Sequence, residues 1–133
     1  MGAGLLRACF ASAVSGAISC AVADLDPLTR RSIDLFLAGV RKRYPIAEAW
    51  LYGSRARGTA RDDSDVDVAL VIDGEMRLAS SVAADMGKET GDVLHETGQY
   101  VSPLPIRLAH WRDPARHPNP FLLANIRREG VAL

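Results

Sequence analysis

The chain has 133 residues, 48% apolar and 24% charged, with 16 basic and 16 acidic side chains and a formal net charge of zero. That size suits one domain with a core, and the charge balance gives no overall electrostatic case for direct nucleic-acid binding. The two cysteines, Cys9 and Cys20, give neither a disulfide framework nor a zinc spacing.

Residues 1–23 are a small-residue, mildly apolar run behind Arg7, ending in Ala21-Val22-Ala23, which has the form of a signal-peptidase site. The run is too weakly apolar for a membrane span. Three readings stand: an extension from an upstream start, an ordinary extra helix, and a secretory signal. Asp26-Pro27 then opens a helix, with Asp as N-cap and Pro in its first position. Ile33, Phe36, Leu37, Val40 and Tyr44 share one helical face, and Pro45 stops it. Residues 46–52 read as a first strand that runs into Gly53-Ser54, with a short helix from about residue 54.

A second strand opens with Asp65 and Asp67 and closes at Asp73-Gly74. Ala69 and Val71 continue the Asp67 face, while Val66, Val68, Leu70 and Ile72 line the other. Both faces thus turn apolar, as in a central buried strand. Leu78, Val82, Met86 and Val93 predict one helix over about 76–96, stopped by Gly98. Residues 99–107 form a strand whose Pro103 and Pro105 point to a sheet edge or to a frayed strand. Residues 110–114 are irregular, with Trp111 capping the core. Asn119-Pro120 starts a last helix through about 128, with Leu122, Leu123 and Ile126 apolar and Gly130 as its stop. The order gives an α/β domain over residues 24–133, a small mixed sheet flanked by helices.

Asp65 and Asp67 carry the chemistry. Residues two apart on a strand share a face, so both carboxylates point into one space. At ~4 Å and an effective dielectric of ~20 they repel by about 4 kcal/mol, which water, a shared proton, arginines or a cation must offset. Mg²⁺ takes oxygen ligands, commonly one or two carboxylates plus substrate phosphates. Gly53 lets phosphate oxygens approach the backbone, and Ser54 adds a hydroxyl beside the N–H groups of the short helix. Arg55, Arg57 and Arg61 can reach a triphosphate with forked guanidinium groups, and Ser64 shapes the start of the second strand. Ser54 lacks the Gly-x-Ser-x-Gly setting of a hydrolase nucleophile. His95, His110 and His117 are scattered, with no paired ligand motif. Arg41-Lys42-Arg43 and the arginines at 107, 112, 116, 127 and 128 read mainly as helix-end and solvated charges, able to complement ATP or an acidic partner.

Gly53-Ser54-Arg55-Ala56-Arg57-Gly58 followed by Ser64-Asp65-Val66-Asp67 resembles, position by position, the signature of the minimal nucleotidyltransferases, a group within the DNA polymerase β superfamily. The tail from Asn119 to Val131 is similar to the tails of that group, and the resemblance covers roughly residues 26–133. It implies a polymerase β-like fold and a Mg²⁺-dependent transfer of AMP from ATP. Asp65 and Asp67 would be catalytic and hold the metal; Gly53, Ser54, Arg55, Arg57 and Ser64 would bind the nucleotide. It further implies an antitoxin that pairs with a helical HEPN-domain ribonuclease toxin and adenylylates a tyrosine on it, in the cytoplasm, off the membrane, as a homo- or hetero-oligomer. ATP chemistry in the cytoplasm favours the first two readings of residues 1–23.

Active members of the superfamily usually carry a third carboxylate on a later strand. Residues 99–107 contain none; Ser102 sits near the expected place, and Glu96 just upstream is the remaining candidate. Related small members also carry a Pro-containing third strand, so the departure is either a subfamily trait or a loss of turnover. The alternative is therefore a catalytically degenerate module that neutralises its partner by contact. A small-molecule nucleotidyltransferase ranks last, because such chains generally carry an extra substrate domain.

Overall fold

Asp26 fixes where the first helix begins. Its side chain accepts the backbone N–H of Thr29 at 3.0 Å, and Pro27 follows with its φ already helical. The structure is a computed structural model and describes residues 25–133; the expectations for residues 1–23, with Cys9 and Cys20, lie outside the described residues. Helix α1 runs Pro27–Val40 and strand β1 Ile46–Tyr52. The one-turn α2 is Ser54–Arg57, and β2 is Val66–Ile72. Helices α3 (Ala79–Asp85) and α4 (Gly87–Thr97) lead to β3 (Val101–Arg107). Then come α5 (Leu108–Arg112), a 3₁₀ turn at Pro114–Arg116, α6 (Pro120–Glu129) and β4 (Val131–Ala132).

The sheet order is β3-β2-β1-β4. β2 is antiparallel to β1 and parallel to β3, and β4 pairs antiparallel with Trp50 and Leu51 of β1. This is the small mixed sheet the sequence implies, with β2 in its interior. The alternation along β2 sorts two cores. Val66, Val68, Leu70 and Ile72 pack with Ile33, Phe36, Leu37 and Val40 of α1. Ala69 and Val71 pack with Ile106, Trp111, Leu123 and Ile126 on the opposite face. Each large apolar side chain so buried contributes about 1.5–3 kcal/mol. Among the described residues no helix is long and apolar enough to cross a membrane.

β3 is an edge strand, as its prolines require. The Tyr100 carbonyl accepts from Val66 N–H, so the even-numbered residues of β3 turn their backbone groups toward β2. Pro103 and Pro105, the odd ones, place their missing donors on the open side, where nothing in the sheet needs them.

Three expectations need correction. The helix predicted over 76–96 is two helices, broken at Met86. Gly87 weakens the helix there, and the Arg43 guanidinium holds the joint by bonding Asp85 at 2.6 Å and both oxygens of the buried Glu89 at 2.7 and 3.0 Å. Residues 76–78 are not helical; Arg107 donates to the Met76 and Arg77 carbonyls at 2.8 and 3.3 Å. Helix α1 ends at Val40 rather than at Pro45, and its carbonyl then accepts from Arg43 and Tyr44 in a turn. Residues 108–112, expected irregular in part, form α5 with Trp111 buried.

Candidate active site at the Gly53 turn

β1 ends against β2 with Tyr52 opposite Asp67, and the chain turns at once through Gly53, φ +77° and ψ −156°. Left-handed φ suits glycine, and a second demand is steric. A β-carbon at Gly53 would lie 2.4 Å from Asp67 Oδ2, so the carboxylate packs directly over the turn. The Gly53 carbonyl accepts from Ala56 and Arg57 N–H, both at 3.1 Å, which closes α2. Gly58, φ +78°, ends it.

Asp65 is exposed and lies just before β2; Asp67 is half-buried at its start. Burial raises the Asp67 carboxyl above its ordinary value, the charge of Asp65 raises it further, and Arg57 pulls it back. Burial, aided by the Asp67 charge, also pushes the Tyr52 phenol up to about 12, so it stays a neutral O–H. On the other side of Asp67, in register, stands Ser102 of β3. One row across three strands therefore reads Tyr52, Asp67, Ser102.

The sequence-predicted nucleotide residues separate into two sets. Gly53, Ser54 and Arg57 lie at the turn beside the carboxylates, with Arg57 half-exposed and 3.9 Å from Glu129. Arg55 and Ser64 are turned into the intervening loop. The Arg55 guanidinium, its side chain 9% exposed, donates to the carbonyls of Arg61, Asp62 and Ser64 and to Thr29 Oγ1. Ser64 Oγ accepts the Arg61 N–H at 2.9 Å. Behind this loop opens a cavity of about 580 Å³ walled by Leu28, Thr29, Arg55, Ala60, Asp62 and Gln99; neither Asp65 nor Asp67 lines it.

The strand register sets Ser102 opposite Asp67. Glu96 is exposed on α4 and paired with Arg31 at 3.2 Å. Among the described residues no group of three or more His, Cys, Asp or Glu side chains is placed to hold a metal. The pair Asp65 and Asp67 suits a hard divalent cation that draws its other oxygens from phosphate and water. His110 and His117, which no paired ligand motif joins in the sequence, meet edge-on with ring centroids 5.5 Å apart. His117 Nδ1 accepts the Asn119 N–H at 3.0 Å, so its neutral form carries the proton on Nε2 and offers no open ligand nitrogen.

A solved structure from Sulfolobus solfataricus, provisionally assigned as a nucleotidyltransferase, aligns with a TM-score of 0.45 and 18% identity, over 84% of this chain and 85% of that one. No curated protein matches the chain. The sequence model of the nucleotidyltransferase domain matches residues 33–110, which hold the Gly53 turn and both aspartates. That match spans more than half of the 133 residues, and the chain belongs to the nucleotidyltransferase domain family.

Proposed function

We propose that this chain transfers a nucleotidyl group, AMP from ATP, to a hydroxyl of a partner protein, with Mg²⁺ held by Asp65 and Asp67. The observation that carries this reading is the closure of Asp67 over the bare α-carbon of Gly53, with Asp65 beside it. This leaves the Asp67 carboxylate, within reach of the Asp65 charge, next to a turn whose first helical N–H groups have no partner within α2. The bound cation would supply charge neutralisation at the phosphates. Gly53 and Ser54 would seat the triphosphate, and Arg57 would add a cationic contact. The acceptor oxygen forms a bond to the α-phosphorus as the bond to pyrophosphate breaks, the electron pair leaving with pyrophosphate and the hydroxyl proton passing to water.

The resemblance of 53–58, 64–67 and 119–131 to minimal nucleotidyltransferases supports a cytoplasmic antitoxin whose partner is a HEPN-type toxin. One observation favours a second reading: Ser102 faces Asp67 where an acid would complete the site, and Glu96 is engaged elsewhere. A module with that row binds its partner without turnover. Asp65→Asn separates the two. Loss of transfer with retained partner binding supports catalysis; a wild type that binds its partner and Mg²⁺–ATP yet transfers nothing supports the contact-only module.

A further inference from the structure

We propose that Arg55 is a positioning residue: it fixes the loop that brings Asp65 beside Asp67 and makes no contact with the nucleotide. This rests on the reading of Asp65 and Asp67 as the metal-holding pair. The loop between α2 and β2 has little regular structure of its own. Its last turn is closed by Ser64 N–H on the Arg61 carbonyl at 3.0 Å and by Arg61 N–H on Ser64 Oγ at 2.9 Å. That turn is then fastened to a single guanidinium. Arg55 Nε and Nη2 both reach the Ser64 carbonyl, at 3.3 and 2.9 Å, and Nη2 also reaches those of Arg61 and Asp62, at 3.2 and 3.3 Å.

The Ser64 carbonyl is the point of leverage. It belongs to the planar peptide that ends at the Asp65 nitrogen, so fixing its direction fixes how the Asp65 α-carbon leaves the loop. The guanidinium is itself anchored from behind. Nη1 donates to Thr29 Oγ1 at 3.2 Å and lies 3.8 Å from Asp26 Oδ2. Thr29 in turn bonds Asp26 and receives Gln99 Nε2 at 3.4 Å, at the approach to β3. Arg55 thus ties the start of α1, the Asp65 loop and the start of β3 together. All three of its nitrogens are committed, and its side chain is 9% exposed. Arg57, about half exposed, is the arginine of the pair left facing Asp67. A lysine at 55 keeps the charge but cannot fork to three carbonyls.

The test uses Mn²⁺ as probe, inorganic tripolyphosphate in EDTA as the metal-free anion, and backbone hydrogen exchange over residues 61–65. In Arg55→Lys we expect faster exchange in the loop and Mn²⁺ binding weakened about tenfold, the range for a group that orients a metal ligand. Tripolyphosphate binding should be unchanged, whereas Arg57→Gln should weaken it. Thr29→Val, which removes the rear anchor of Arg55 together with the hydroxyl's bonds to Asp26 and Gln99 at a residue that is itself 1% exposed, should repeat the exchange and Mn²⁺ effects in milder form. It carries the test if Arg55→Lys does not fold. Mn²⁺ affinity and loop exchange equal to wild type, or loss of metal-free tripolyphosphate binding in Arg55→Lys, would overturn the proposal. A wild type that takes no Mn²⁺ would bring down the metal-site reading instead, and loop exchange would then decide Arg55 alone.

Discussion

The bare α-carbon of Gly53 is the floor on which the Asp67 carboxylate rests: a β-carbon there would come 2.4 Å from Oδ2. The contact adds to a φ of +77°, which costs a residue with a side chain about 1–2 kcal/mol. Gly53→Ala should therefore melt lower by at least that amount and displace Asp67, abolishing Mn²⁺ binding. A Gly53→Ala protein with wild-type Mn²⁺ affinity would show that the turn and the carboxylate are independent.

Asp67 is held in a setting that disfavours its charge, first through burial and then through Asp65. An acid raised in the folded state retains a proton that the unfolded chain has already released. Its favourable contribution is full below the ordinary value of 3.8 and is lost as pH rises through the raised value. Metal-free Asp67→Asn should accordingly melt above wild type at neutral pH, with the difference shrinking as pH falls toward 3.8. Added Mn²⁺ should raise the melting temperature of wild type alone. A variant less stable than wild type at neutral pH would refute this account of the site's electrostatics.

Glu48 Oε1 accepts both indole N–H groups of the chain, from Trp50 at 3.0 Å and Trp111 at 3.2 Å, with the rings 5.7 Å apart. Trp111 is 3% exposed and also carries the Arg127 guanidinium 4.2 Å above its ring. Glu48→Ala leaves a buried N–H without its acceptor and should cost about 1–3 kcal/mol. As Trp50 and Trp111 are the two tryptophans of the sequence, intrinsic fluorescence reads this corner directly. Emission should change in Glu48→Ala and much less in Glu48→Gln, which keeps an acceptor. Identical spectra for all three proteins would rule the shared carboxylate out as a determinant of the indole environment.

Asp26 is held below its ordinary value, chiefly by hydrogen bonds from the Thr29 side chain and backbone. A lowered acid contributes stability that is full above 3.8 and lost as pH falls through the lowered value. Asp26→Ala should cost about 1 kcal/mol at neutral pH, a usual value for an N-cap. Its deficit should shrink in acid. A deficit that is flat with pH would mean the side chain packs rather than caps.

Much of this was legible because strand alternation is a rigid rule. The split of β2 into a Val66 face and an Asp67 face followed from period two. Pro103 and Pro105 marked an edge because a missing donor has few places to go. What the sequence did not disclose was non-local. The break at Met86 depends on Arg43 reaching across from the end of α1, although Gly87 was a visible hint. β4 is two residues long, too short for any periodicity. The inward turn of Arg55 was hidden because the motif counts arginines without saying which carbonyls surround them. The direct pairing of Ser102 with Asp67 needed the register, which spacing alone does not set.

The most direct measurement is transfer from ATP labelled at the α-phosphate. The purified chain and Mg²⁺ would be mixed with lysate of its own host, beside the Asp65→Asn/Asp67→Asn variant. A labelled protein band should appear with wild type and be absent with the variant. Label carried equally by both proteins, or no band from a wild type that binds Mg²⁺–ATP with its partner present, would contradict the proposed transfer.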